Sequence, residues 1–147
     1  MSIFKKLTVV CTGNICRSPI AEVLLRERLR DKGVECVSAG THALVGYPAD
    51  GLSLAVMADH GYDASAHRAQ QATLPLLTWS DLILVLDRSH FDWITQKAPQ
   101  LRGRVHKLGK WNGNMDIDDP YGLPKEAFER AYDEIDRAVR DWVIKLG

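Results

Sequence analysis

Leu82-Ile-Leu-Val-Leu86 is apolar at every position. A strand with one wet face alternates apolar and polar residues, whereas an unbroken run belongs in the middle of a parallel sheet covered on both sides. Parallel strands need long crossovers between them, usually helices, and the rest of the chain supplies that alternation. Residues 6–10 read as a buried strand. Residues 19–32 read as a helix with Ile20, Val23 and Leu24 on its apolar side and Gly33 as its stop. A second strand is expected over 35–39, helices over 51–60, 73–79 and 89–97, and a fourth strand over 105–108. Residues 41–48 and 109–123 read as loops, and long loops within compact domains are often functional. Phe128, Ala131, Tyr132, Ile135, Val139, Trp142, Val143 and Leu146 recur at helical spacing and form the core stripe of a last helix. The pattern predicts an α/β fold: a single-domain three-layer sandwich with a central four-stranded parallel sheet and helices on both faces.

The bulk numbers narrow the function classes. A chain of 147 residues has the length of one domain, and 46% hydrophobic with 26% charged residues is ordinary for a soluble globular protein. A formal net charge of zero gives no bulk field toward nucleic acid, so no nucleic-acid partner is expected. No apolar run has membrane-spanning length, and Met1-Ser-Ile-Phe-Lys-Lys lacks the apolar core of a signal peptide. Three cysteines are too few for a disulfide scaffold, which points to a reducing compartment, the cytoplasm. His42, His60, His67, His90 and His106 are scattered, so neither a metal site nor a cofactor is expected.

Chemistry concentrates in Cys11-Thr-Gly-Asn-Ile-Cys-Arg17-Ser18-Pro19, between the first strand and the first helix. Ser18-Pro19 reads as N-cap and first helical residue, and Gly13 permits positive φ in the loop. Successive inward backbone N–H groups make an anion-binding nest, and the positive end of the helix points at the same spot. Arg17 supplies a two-pronged donor for phosphate oxygens. Cys11 then lies under the bound anion, where positive potential favours a nucleophilic thiolate. The loop starts at the carboxyl end of a strand, where open α/β sheets place their ligands.

A thiolate attacking a phosphate monoester needs an acid to protonate the departing oxygen. Asp116-Ile-Asp118-Asp119-Pro120-Tyr121, in the 109–123 loop, offers carboxylates for that role, although Asp-Pro also marks an ordinary acidic turn.

The Cys11–Pro19 stretch together with the distant Asp119-Pro120-Tyr121 resembles low-molecular-weight protein tyrosine phosphatases, and the resemblance covers essentially the whole chain. It implies that Cys11 is the nucleophile that forms a phosphocysteine, that Arg17 binds phosphate and stabilises the transition state, and that Asp119 is general acid and then base. Thr12, Gly13, Asn14, Ile15, Cys16 and Ser18 would complete the phosphate-binding loop, with Ser18 on the Cys11 sulfur. Asn14 would hold the loop in shape, supported by Ser38 and His67. Leu44 and Tyr121 would wall the phosphotyrosine ring, Leu44 standing where eukaryotic relatives place an aromatic residue. Gly122 replaces a second aromatic, and Gln70 replaces the Arg of the family's His-x-Ala-Arg-Gln. Oxidised Cys11 would be trapped reversibly by Cys16, while Cys36 reads as inert core.

Leu44-Val45-Gly46, Pro48-Ala-Asp50, Ala98-Pro99, Arg102-Gly103 and Gly109-Lys-Trp111 are similar to the bacterial branch tied to exopolysaccharide export. That likeness implies a phosphotyrosine-containing partner, the C-terminal tail of an autophosphorylating bacterial tyrosine kinase. Arsenate reductases share the loop but need downstream cysteines, and after the loop only Cys36 remains. Protein-arginine phosphatases carry Thr where Ile15 stands, and the apolar Ile15 favours a flat ring over a guanidinium. A non-catalytic phosphotyrosine-binding module is a further alternative. The joint presence of nucleophile, arginine and acid argues against it.

Overall fold

The computed structural model describes residues 4–147. Met1, Ser2 and Ile3, on which the leader reading partly rests, lie outside the described residues. Four strands, β1 (Lys6–Cys11), β2 (Glu35–Gly40), β3 (Leu82–Val85) and β4 (Val105–Lys107), pair in parallel in the order β2-β1-β3-β4. Register aligns Val10 with Ala39 on one side and Val85 on the other, and Val85 with Lys107.

The strands alternate their side chains between two cores, as the period of two requires. Leu7, Val9, Cys11, Leu82 and Leu84 face α1 (Arg17–Arg28), α2 (Gly51–Asp59) and α5 (Lys125–Leu146). Val10, Ala39, Ile83 and Val85 face α3 (Leu74–Trp79), α4 (Arg88–Lys97) and the 3-10 segment Pro99–Arg104. Helices therefore cover both faces, as the apolar run in β3 demands. The four β3 residues are buried throughout.

Most elements fall within a residue or two of their predicted bounds. The first helix departs most. It starts at Arg17, not Pro19, and ends at Arg28, after which Arg30–Lys32 tightens to 3-10 geometry and Gly33 stops it at φ 70°. Leu29 stays buried at that point, while Arg30 and Asp31 after it are exposed. The final helix buries Phe128, Tyr132, Ile135, Val139 and Trp142, and the Trp142 indole N–H donates to the Leu108 carbonyl (2.8 Å). No helix among the described residues is long and apolar enough to cross a membrane.

Candidate active site

The chain leaves β1 toward β2 and leaves β3 toward β4, so the carboxyl ends of β1 and β3 flank the point where winding reverses. Both site-forming turns open there. Cys11 closes β1 and is buried. Across residues 11–16 each carbonyl is tied outward. Cys11 O accepts from Thr41 N (2.9 Å), Thr12 O from His42 N (2.9 Å), Gly13 O from Leu44 N (3.1 Å) and Ile15 O from Asp50 N (2.7 Å). Asn14 O accepts from His67 Nε2 (2.7 Å), and Cys16 O from Ser53 Oγ (3.1 Å). A trans peptide points its N–H opposite to its C=O. Outward carbonyls at 11–16 therefore turn the following N–H groups inward, which builds the anion nest from backbone alone.

Asn14 holds the turn. It is fully buried and sits at φ 59°, a left-handed value that Asn tolerates better than most side chains. Its Nδ2 donates to Ser18 Oγ (2.8 Å) and Ser38 Oγ (2.9 Å), and its Oδ1 accepts from Gln70 N (2.9 Å). Ser38 Oγ in turn donates to Glu22. Because the Asn14 carbonyl only accepts, His67 carries its proton on Nε2. Burial holds His67 below the usual histidine range, and the bond to Asn14 opposes that shift. Gln70, the departure from the family pattern, also donates from Nε2 to the Ser38 carbonyl (2.9 Å), so both its ends serve this turn.

Two local readings need correction. The left-handed residue in the loop is Asn14, not Gly13. Ser18 is not the N-cap, because Cys16 occupies that position without a side-chain cap. The Ser18 hydroxyl is instead engaged with the Cys11 sulfur (2.8 Å) and Asn14. Capping the helix would occupy an amide at the very end that faces the nest.

Arg17, in the first turn of α1, is almost wholly buried, at 2% exposure. One terminal nitrogen donates to Asp87 Oδ2 (2.8 Å) and the Ile117 carbonyl (2.8 Å). The other lies 3.7 Å from Asp119 Oδ2 and 3.5 Å from Thr12 Oγ1. Its Nε–H, buried, has no partner among the described residues. One side of the guanidinium is thus anchored, while on the other Nε is open and the second terminal nitrogen has only the long contacts to Thr12 and Asp119, an edge matching two oxygens of a tetrahedral anion.

Asp87 stands two residues past the end of β3 and caps α4, accepting from Ser89 N (2.9 Å) in a box closed by His90. Burial pushes its pKa up, but the Ser89 hydroxyl and the Arg17 guanidinium outweigh that and hold it below the usual carboxylate value. His90 is buried beneath the loop with Nε2 on Thr12 Oγ1 (2.9 Å). Its Nδ1 accepts from Asp87 N (3.2 Å). Burial pulls its pKa down to about 4 against the pull of Asp87, so the ring is neutral near pH 7 and Nε2 donates to Thr12.

A cleft of about 290 Å³ opens over the cradle, lined by Cys11, Thr12, Gly13, Ile15, Cys16 and Arg17 with His42, Leu44, Asp119 and Tyr121. The residues singled out for nucleophile, arginine, acid and ring walls thus meet in one cavity, while Asn14, Ser18, Ser38 and His67 stand behind it. Leu44 and Tyr121 are exposed at the mouth. Burial and nearby Asp50 push the Cys16 thiol well up, which keeps it protonated, and burial raises Cys36 to about 12.

Sequence reasoning missed Asp87, His90, His42 and Gly40. Asp87-x-x-His90 at the end of a buried strand is a visible capping signal. The inward turn of His90 toward Thr12 depends on packing. Gly40 ends β2 beside the loop, where a β-carbon would overlap the Thr12 carbonyl oxygen and lie 3.0 Å from Asn14 N.

A thiol at the floor, inward amides, an open guanidinium fork and a carboxylate at the rim are the parts of a cysteine-dependent phosphomonoesterase. The chain belongs to the low molecular weight phosphotyrosine protein phosphatase family, whose sequence model matches residues 6–147. It is 42% identical over 144 residues to the low molecular weight protein-tyrosine-phosphatase Etp of Escherichia coli K12, covering 98% of this chain and 96% of that one. The EpsP protein of Ralstonia nicotianae is 48% identical over 142 residues, with 97% and 96% covered. Among solved structures, Vibrio vulnificus Wzb in complex with benzylphosphonate superimposes with a TM-score of 0.93 at 42% identity, covering 97% of this chain and 99% of that one.

Proposed function

We propose that this protein tyrosine phosphatase hydrolyses phosphotyrosine in proteins through a phosphocysteine on Cys11. The observation that carries this reading is the buried Nε of Arg17, without a hydrogen-bond partner among the described residues, in the same cleft as Cys11. Three phosphate oxygens enter the amide nest and the Arg17 fork. The Cys11 thiolate, held by a hydrogen bond from Ser18, attacks phosphorus as the bond to the tyrosyl oxygen breaks. Asp119 gives its proton to that oxygen, so tyrosine leaves neutral. Asp119 then takes a proton from water as the water oxygen attacks phosphorus and the phosphorus–sulfur bond breaks. Inorganic phosphate leaves and the thiolate is restored. The nest and Arg17 act on charge that moves during both transfers, without reorganising.

The physiological substrate we propose is the phosphotyrosine-bearing C-terminal tail of an autophosphorylating bacterial tyrosine kinase that controls exopolysaccharide production. Likeness to Etp, EpsP and Wzb supports that assignment. Ile15, 8% exposed among the cleft residues, supports a flat ring as the group above the phosphate. The deciding measurement is steady-state hydrolysis of matched phosphotyrosine and phosphoarginine peptides by the reduced enzyme, with Cys11→Ser in parallel. The expected result is strong preference for phosphotyrosine, with Cys11→Ser binding the peptide but not turning it over. Preference for phosphoarginine would overturn the substrate class, and turnover that survives in Cys11→Ser would overturn the mechanism.

A further inference from the structure

Along the outer edge of β4, on the far side of β3 from the strand that ends in Cys11, lies another cavity of about 530 Å³. Its lining converges from several elements: Arg88 and Phe91 from α4, Arg102 from the 3-10 segment, His106 and Lys107 from β4, and Lys110 from the turn that follows. Lysine and arginine along an exposed strand edge commonly guard against edge-to-edge pairing. A guard needs only outward charge, whereas these cations share one concavity in a protein of zero net charge.

Their neutralisation is incomplete. Lys107 pairs with Asp116 (2.8 Å) and Arg88 with Asp92 (3.4 Å). Arg102 lies over the Phe91 ring, 5.3 Å from its centre. Lys110 lies over Trp111 at 4.9 Å, and its Nζ is 3.2 Å from His106 Nδ1. Neither Arg102 nor Lys110 has a carboxylate partner within ion-pair distance among the described residues. Burial, and after it the Lys110 charge, depress the His106 pKa against a hydrogen bond with the Gly103 backbone.

We propose that this cleft binds a second phosphotyrosine of the same peptide whose first phosphotyrosine occupies the Cys11 cradle. The inference rests on the phosphatase reading. A phosphate monoester carries nearly two charges and three acceptor oxygens. The Arg102 guanidinium and the Lys110 ammonium, the two cations here without a carboxylate partner among the described residues, therefore match it better than they match a single carboxylate. Phe91 offers the aromatic wall that a phenyl ring packs against.

Reach agrees as well. Val10, Val85 and Lys107 lie in register across adjacent strands. Two strand spacings put Lys107 about 10 Å from the residue before Cys11. An extended peptide covers that span in about three residues. The stretch after β4 also runs continuously from this cleft at Lys110 to the catalytic rim at Asp119 and Tyr121.

The test uses peptides whose first tyrosine is phosphorylated. The residue three or four positions away is tyrosine, glutamate, or a non-hydrolysable phosphonate analogue of phosphotyrosine. Only the first site can then turn over. For the wild-type enzyme the phosphonate peptide is expected to exceed the tyrosine peptide in kcat/KM by about tenfold, through KM. Arg102→Gln with Lys110→Gln is expected to abolish that advantage, while p-nitrophenyl phosphate turnover, reporting an intact fold and cradle, stays within about twofold. Equal kcat/KM for the phosphonate and tyrosine peptides overturns the proposal. So does an advantage that survives in the double variant, or an equal gain from glutamate. Failure to hydrolyse even the singly phosphorylated peptide is a failure of the phosphatase reading itself and takes the inference with it.

Discussion

Asp119 stands 3.7 Å from Arg17 with its side chain 46% exposed, at the rim of the cleft and not in its floor. On the proposed mechanism a group so placed serves the leaving oxygen rather than the bound phosphate. Its removal therefore costs most where that oxygen needs a proton. Asp119→Ala is expected to lower kcat on a phosphotyrosine peptide by about 100-fold or more, but on p-nitrophenyl phosphate by less than about tenfold. Equal losses on the two substrates in a steady-state comparison would remove Asp119 from the acid role. His90 makes a different prediction. Its folded pKa is depressed to about 4 from an ordinary 6.5. Between those values the unfolded chain binds the extra proton, so stability rises with pH across that window and is lost as pH falls through it. The loss reaches about 3 kcal/mol at the acid end for this group alone. Urea melts at pH 4.5 and 7 are expected to differ less for His90→Gln than for the wild type.

At the scale of elements, β2 supports the catalytic loop as much as β1 does. Ser38 reaches Asn14, and Gly40 lets the loop lie directly against the strand. Gly40→Ala places a methyl group against backbone, which cannot swing aside. It is expected to destabilise the protein by about 1–3 kcal/mol and to lower kcat/KM on p-nitrophenyl phosphate by about 100-fold, because a shift near 1 Å in the cradle is that costly. Wild-type kinetics in this variant would show that the loop is positioned from elsewhere. What was legible in advance follows the same division. Period-two and period-3.6 patterns are strong in 82–86 and in the last helix, and both elements stand where the sequence placed them. The Cys-x5-Arg spacing and the acidic turn located the cradle and the rim because their chemistry is local. Gly40, Asp87 and His90 were not legible as site residues, since each acts across strands through packing or a hydrogen bond that no spacing along the chain encodes. The helix start was misplaced for a related reason, because the Ser18 hydroxyl had a better partner 2.8 Å away in Cys11.

The whole molecule keeps its chemistry at one edge and its stability on the faces. Phe128, Tyr132, Ile135 and Trp142 of α5 pack on the sheet face shared with α1, and Phe128 is 1% exposed. Phe128→Ala is expected to cost about 3–5 kcal/mol, a large part of the roughly 5–15 kcal/mol that holds a domain of this size. Denaturant unfolding followed by tryptophan fluorescence measures it, and kcat per folded molecule on p-nitrophenyl phosphate is expected to stay near the wild-type value. A drop in kcat without a shift in midpoint would mean that α5 reaches the cradle. The half-anchored guanidinium of Arg17 has one more consequence. Its open Nε and the inward amides are in place before anything arrives, and on the proposed mechanism they meet only the three outer oxygens common to ester and free orthophosphate. Those contacts would not distinguish reactant from spent product, and only a ring placed against the proposed walls, Leu44 and Tyr121, would separate the two. On the proposed mechanism, orthophosphate that accumulates as the reaction proceeds competes with substrate for the same cradle, so the apparent KM climbs with phosphate while the maximal rate is unchanged.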